Sequence, residues 1–396
     1  MKVVHCSYIA KQIRGVTYRK GDVQEYPFDN SVPVLRAGNI QDESGNIIFD
    51  DLYYLAKDSV NDSQIMKEGD ILIAASSGSI DVVGKAAFFK NNQESTFGAF
   101  CKTIRPNKER VNSKYLFYFF RSEGYRRKIK ELAQGANINN IKNEHLDDLE
   151  IPLPSLSEQK AIVAKLDRAQ RLIDIDREML AKYDELIQSV FLEMFGDPVR
   201  NEKGWEVKKL GDLTTKVGSG LTPRGGSKVY QDHGNIFIRS QNVLMNKLNL
   251  EDVAYISDEI HERMKNTWVE KNDVLLNITG ASIGRVCDYN QSESANVNQH
   301  VCILRPIQEK IKPYYLSHLI SSRNYQDKIL GQQTGGTRQA FNMTQIKNFD
   351  IPLPPIEEQI RFHDLLTKLK HEIKKMKFDL KKSEELFSSL VQGVFG

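Results

Sequence analysis

Ile151-Pro152-Leu153-Pro154-Ser155-Leu156-Ser157-Glu158-Gln159 returns as Ile351-Pro352-Leu353-Pro354-Pro355-Ile356-Glu357-Glu358-Gln359, 200 residues further along a chain of 396. Downstream the register holds without a gap to Phe195-Gly196 and Phe395-Gly396. Upstream, Arg105-Pro106 matches Arg305-Pro306, Tyr115-Leu116 matches Tyr315-Leu316, and Tyr125 matches Tyr325. Further upstream the offset drifts: Asp70-Ile71-Leu72 aligns with Asp273-Val274-Leu275, and Arg36 and Asn39 with Arg239 and Asn242. So long a register reads as duplication. The chain is two copies of one unit, each a globular part followed by a tail.

The tails read as helices. Ile162, Leu166, Ala169, Ile173, Asp176, Leu180, Tyr183, Ile187, Val190 and Met194 alternate spacings of four and three. Phe362, Leu366, Leu369, Ile373, Met376, Leu380, Ser383, Phe387, Leu390 and Val394 repeat the pattern. This is a heptad seam with one polar break per copy, Asp176 and Ser383. Ser155 and Glu158 have capping-box spacing, Pro355 suits a first helical turn, and Gly196-Asp197-Pro198 stops the first helix. Such a helix reaches roughly 60 Å and leaves its seam exposed unless it finds another. The sister seam is the other tail, so an antiparallel coiled coil is expected. A tail buried in its own globular part and a parallel zipper between two chains are the alternatives.

In the globular parts, Val32–Arg36, Asp70–Ala74 and Ile236–Arg239 read as strands, Lys114–Ala133 and Pro313–Ile329 as helices. The order is mixed, without a βαβ series. The expected fold is α+β: two similar α/β domains, residues 1–150 and 206–350, separated by two long helices forming an antiparallel coiled coil, as an internal pseudo-twofold repeat. Residues 151–205 supply the first helical region with its linker, and 351–396 the second.

Composition narrows the function. Apolar residues make up 40% and charged residues 27%, which fits globular domains and excludes a disordered tail. There are 55 basic and 52 acidic side chains, a net charge of +3, which excludes a histone-like polycation while leaving a local basic surface possible. Cys6, Cys101, Cys287 and Cys302 lie far apart, as expected of a reducing cytoplasm and not of a disulfide framework or zinc module. No run of about 18 apolar residues calls for a membrane span, and the first residues lack a signal-peptide core. Gly78–Ala86 imitates a P-loop with the wrong spacing, and Ala86 stands where Ser or Thr is needed. His261-Glu262 and His371-Glu372 lack the second histidine of HExxH, and His371 reads as a solvated helix residue. Cys101 and Cys302 lie in apolar strand-like stretches and read as buried. No acid–base constellation emerges.

Hydrogen-bonding residues do gather in loop-like stretches of both copies. The first carries Arg14, Thr17, Tyr18, Arg19, Arg36, Asn39, Ser77, Ser79, Asn137, Asn139, Asn140 and Lys142. The second carries Thr222, Arg224, Lys228, Arg239, Gln241, Asn242, Thr279, Arg285, Thr337, Arg338, Gln339 and Asn342. Arg suits guanine, Asn and Gln suit adenine, and Lys, Ser and Thr suit phosphates. Single polar loop residues are ordinary; matched loops with different contact residues suit two different DNA sequences.

These features together resemble the DNA specificity subunit of type I restriction-modification systems. The resemblance rests on the duplicated IPLP-x-x-x-EQ helix entry, the long tails, the Gly196–Pro198 exit and the Gly204-Trp205-Glu206-Val207 opening of the second copy. It implies two target-recognition domains, each reading half of a bipartite site in double-stranded DNA, and no catalysis in this chain. It also implies two modification (methyltransferase) subunits held on the helices, with restriction subunits joining them. S-adenosylmethionine, and ATP with Mg for restriction, would belong to those partners; no membrane, metal or cofactor is implied for this chain. The Gly-Trp-Glu-Val opening has no counterpart before the first copy, where Met1 aligns near Glu206. If the copies are related by a pseudo-twofold axis, the termini should lie within reach of a ten-residue linker, roughly 35 Å. Paired four-residue insertions near Asp176 and Met376 are expected to lengthen the DNA spacer. The competing readings are a coiled-coil scaffold with protein-binding ends and an enzyme acting on nucleic acid.

Overall fold

The computed structural model describes residues 2–41, 44–90, 93–133, 139–331 and 340–396. The chain forms two compact units: unit 1 holds residues 1–179 with 376–396, and unit 2 holds residues 180–375.

Unit 1 is built on an antiparallel sheet ordered Ala86–Phe88, Ile71–Ala74, Cys101–Pro106 and Ala10–Arg14. Ile71–Ala74 is apolar throughout and wholly buried, as a strand covered on both faces must be. A second sheet is ordered Thr96–Phe97, Ser31–Leu35, Tyr53–Ala56 and Val23–Gln24, its first pair parallel. Unit 2 repeats the first sheet as Val286–Asp288, Val274–Asn277, Val301–Pro306 and Thr214–Ser219. Its second sheet keeps three matching strands, Ala254–Ile256, Asn235–Ile238 and Ala295–Val297. The fourth strand differs: Trp268–Val269 joins beside Ala295–Val297, whereas in unit 1 Val23–Gln24 joins beside Tyr53–Ala56. The mixture is the α+β class expected.

Each helix expected after the long strand is broken in two. Unit 1 has Ser113–Phe119 and Glu123–Ala133, and unit 2 has Pro313–Ser321 and Arg323–Gly331. A serine stands at each break. The Ser122 hydroxyl donates to Phe119 O at 2.8 Å and accepts from Tyr125 N at 3.2 Å. Ser322 is extended, with its hydroxyl donating to Leu319 O at 2.8 Å. Such local bonds compete with the helix ladder.

The residues that match between copies turn out to be staples. Gln159 is fully buried; its amide oxygen accepts from Asn112 N at 2.8 Å and its nitrogen donates to Pro154 O at 2.9 Å. Gln359 does the same with Lys312 N at 2.8 Å and Pro354 O at 3.0 Å. Tyr115 donates to Pro152 O at 2.7 Å, and Tyr315 to Pro352 O at 2.6 Å. Arg105 grips Asp70, and Arg305 grips Asp273, each carboxylate 1% exposed. Removing either arginine would strand a buried carboxylate.

The long helices are Leu156–Phe195 and Ile356–Phe395. The first opens with the expected box: Ser155 N donates to Glu158 Oε2 at 2.8 Å, and Glu158 N to Ser155 Oγ at 3.3 Å. Gly196, at φ 74°, ends it. Within unit 1 the two helical segments run antiparallel. Phe395 packs on Tyr115 beside Pro152, Phe387 packs on Tyr118 bonded to Asp167, and Glu384 pairs with Arg177 at 2.7 Å. Within unit 2, Phe191 and Phe195 pack on Phe362, and Phe195 also packs on Tyr315. In both units the seam is also part of the globular core. Helix pairing and burial in the globular part, posed as alternatives, hold together.

The N-terminal strand Val3–His5 pairs with Glu150–Pro152, with Val3 opposite Pro152. Tyr115 bonds Pro152 O and packs against Phe395, the two rings tilted and 5.0 Å apart. Both ends of the chain therefore gather around one tyrosine of unit 1.

Candidate nucleic-acid interface

In each unit the loops that carry the candidate residues leave the same ends of the same strands. The first departs at a glycine. A Cβ on Gly15 would lie 2.1 Å from Gly98 O, and one on Gly220 would lie 1.9 Å from Val297 O, so only glycine lets the chain pass. Beyond it stand exposed Thr17, half-buried Tyr18 and exposed Arg19 in unit 1, and half-buried Thr222 and exposed Arg224 in unit 2. Burial pushes the Tyr18 hydroxyl above its ordinary pKa, keeping it a neutral donor.

Five expected contact residues fasten their own loops. Asn39 is buried: its oxygen accepts from Arg36 N at 2.8 Å and its nitrogen donates to Asp50 O at 2.8 Å. Asn242 repeats this with Arg239 N at 2.9 Å and Asp252 O at 3.0 Å. Both asparagines are buried, which turns their amides to the loop backbone and away from a duplex. The Arg36 guanidinium stacks on Tyr53 at 4.2 Å and binds Asp51. Arg239 donates to Asp252 O at 2.8 Å. Gln241, exposed, is likewise held by Asp252 at 3.0 Å.

The turn Ser76–Ser79 is brought beside Asn139–Asn140 by a short antiparallel pairing, Asn139 opposite Ser77 and Asn140 opposite Ser76. Ser76 Oγ bonds Asn140 Oδ1 at 3.2 Å, Asn139 Nδ2 donates to Gly78 O at 3.3 Å, and Ser77 Oγ accepts from Ser79 N at 3.1 Å. Tyr18, Arg36, Asn39 and Ser76 also line one open cavity of about 380 Å³, together with Phe100. In unit 2 the matching bridge joins Thr279 to Ala340. Thr222 bonds Gln299, Gln299 bonds His300 and His300 bonds Thr279, tying three loops together.

Arg14, Lys142, Lys228 and Arg285 are exposed on neighbouring loops and strand ends; Lys142 lies 3.7 Å from Glu144. Asn342 caps the helix Met343–Lys347 by accepting from Gln345 N at 2.8 Å, a structural task. Asn137, Thr337, Arg338 and Gln339 lie outside the described residues.

Sequence reasoning missed Phe100, Gln299 and His300. Phe100 is 70% exposed, on a turn whose carbonyl accepts from Ala75 N at 2.8 Å and Ser76 N at 3.0 Å. Its counterpart His300 occupies the same turn, with its carbonyl accepting from Ile278 N at 2.9 Å. The signal lay in the repeat: Ala99-Phe100 and Gln299-His300 differ at a point where the register on both sides is secure.

Other chemistry is muted. Burial lifts the Cys6, Cys101 and Cys302 thiols to about 12, far from reactive thiolates. His261 is buried flat against Trp268 with both ring nitrogens bonded, to Asn296 and Ser294. His371 is exposed, as expected. Among the described residues no helix is long and apolar enough to cross a membrane, and no group of His, Cys, Asp and Glu could hold a metal ion.

One frame built twice, with different side chains on matching loops, is the build of a recognition protein with two readers. Residues 3–182 and 202–382 each match the type I restriction modification DNA specificity domain. The chain is 31% identical over 375 residues to the StySPI type I restriction enzyme specificity subunit of Salmonella potsdam, covering 89% of this chain and 78% of that protein. It is 29% identical over 373 residues to the EcoKI specificity subunit of Escherichia coli strain K12, with the same coverage. A chain from a solved type I R-M system shares the fold, with a TM-score of 0.60 at 18% identity over 100% of this chain and 97% of that one. The chain belongs to the type I restriction-modification DNA specificity family. It is a specificity subunit with two target-recognition domains, a recognition component and not a catalytic one.

Proposed function

We propose that each unit reads one half of a bipartite site in double-stranded DNA, and that two methyltransferase subunits, with restriction subunits beside them, assemble on this chain. The observation that carries this reading is the doubled loop frame with its unlike tips: Ser76, Asn139, Asn140 and Phe100 in unit 1 against Thr222, Thr279, Gln299 and His300 in unit 2. Exposed Arg14, Arg19, Lys142, Arg224, Lys228 and Arg285 suit phosphates, which set position without choosing sequence. S-adenosylmethionine, and ATP with Mg, would be bound by the partners.

The test is to express the chain with its methyltransferase subunit and map methylated adenines. One two-part motif is expected. Substituting Arg19 with Ala should weaken binding to all duplexes and reduce the salt slope by about one. Methylation that ignores sequence, or DNA binding without salt dependence, would favour a protein-binding scaffold instead.

A further inference from the structure

We propose that Gln299 reads an adenine in the half-site taken by unit 2, and that Thr222, His300 and Thr279 hold its amide in place. This rests on the DNA-reading assignment above and names one of its base contacts.

The Gln299 Nε2 atom lies 3.1 Å from His300 Nε2, and an amide nitrogen can only donate. His300 Nε2 is then the acceptor, so a neutral ring carries its proton on Nδ1. That proton meets Thr279 Oγ1 at 2.6 Å. At the other end the Thr222 hydroxyl donates to Gln299 Oε1. Donors and acceptors thus alternate in one direction along the whole row. Flipping the amide alone would set oxygen against the His300 acceptor; the bonds are regained only if the His300 proton moves to Nε2 and both threonine hydroxyls turn round, so the row reverses together or not at all.

The row stands on fixed backbone. His300 O accepts from Ile278 N at 2.9 Å, Val301 N donates to Asn298 O at 3.1 Å, and Thr279 is bridged to Ala340. Gln299 itself is exposed. Its amide has spent one N–H and one lone pair, which leaves one of each. A side-chain amide with a free N–H and a free oxygen lone pair matches adenine, donating to N7 and accepting from N6. Guanine offers acceptors at both N7 and O6, so the amide oxygen would face another acceptor. Ala99-Phe100 at the matching turn of unit 1 has no such groups, so this reader belongs to one half-site only.

The experiment uses the complex of the full chain with its methyltransferase subunits and duplexes carrying the mapped site. Each adenine of the unit 2 half-site is replaced in turn by 7-deazaadenine, which lacks the N7 acceptor. The unaltered complex should lose about tenfold in affinity at one position. Gln299→Ala should lose a similar factor on the normal site, show no further loss at that position, and keep recognition of the other half-site. His300→Ala, which frees the amide to turn, should shrink the penalty for guanine in place of that adenine and leave binding to unrelated DNA unchanged. If no adenine responds to the N7 deletion in the unaltered complex, or Gln299→Ala stays as sensitive as the parent, the inference is wrong while the two-reader function stands. A complex that binds every duplex alike would sink the function as well.

Discussion

His318 shows how far burial can move a single group. Its ring is enclosed in unit 2, stacked on Phe191 and edge-on to Phe362, and its Nε2 has no hydrogen-bond partner among the described residues. Burial, helped by the charge of Lys370, pushes its pKa down to about 3. A histidine in the unfolded chain titrates near 6.5. Between those values the unfolded chain binds a proton that the folded one refuses, so stability is complete above about pH 6.5 and falls as pH drops toward 3. From pH 7.5 to 5.0 this group alone should cost about 2 kcal/mol. His318→Phe keeps the stacking and removes the titration. Its urea midpoint should change less between those pH values than the parent's; equal changes would place the acid sensitivity elsewhere. The same scale explains what the sequence concealed. Asn39 and Asn242 look like base readers in a residue list, because an amide that caps a turn and one that faces a duplex have the same chemistry. Only their burial tells the two apart.

At the scale of elements, the seam was legible because its period is imposed by helix geometry whatever the partner. Its two polar breaks carried more information than expected: Ser383 Oγ meets Asp176 Oδ2 at 3.3 Å, so each interruption is the other's partner. Beside them Arg177 and Glu384 form an ion pair. The seam also drifts: near the end of the second helix Val391 and Phe395 are buried, while Leu390 and Val394 are only partly so. A helix turns 3.6 residues and a heptad assumes 3.5, and the aromatic floor of unit 1 captures the residues one step on. The breaks at Ser122 and Ser322 were not legible, since serine is tolerated in helices: Ser317 bonds Tyr314 O in the same way inside an unbroken one. Replacing Asp176 and Ser383 together with Leu should stabilise the pair by about 1 kcal/mol, because matched apolar groups need no desolvation of polar ones. A raised urea midpoint is the expected readout. A lowered one would mean that the polar contact fixes the register of the helices.

Across the whole molecule the duplication divides labour. What matches between copies, such as Gln159 and Gln359 or Tyr115 and Tyr315, builds the frame; what differs is free to specialise. Each long helix contributes residues to both units, so its length is set independently of either frame. We expect that length to govern the spacing between half-sites, and the structure says where to alter it. An insertion near Asp176 needs its companion beside Ser383, which faces it, and not near Met376, which matches it only by repeat. Four residues in each helix add roughly 6 Å and keep the two seams in phase with one another. DNA rises about 3.4 Å per base pair, so the spacer should grow by one or two pairs. Both half-sites should stay as they were, because no reading loop has moved in sequence. The measurement is a map of methylated sites for parent and lengthened chains, each expressed with the methyltransferase subunit. An unchanged spacer with intact methylation would show that the helices do not set the distance; a changed half-site sequence would show that the insertion reaches the readers themselves.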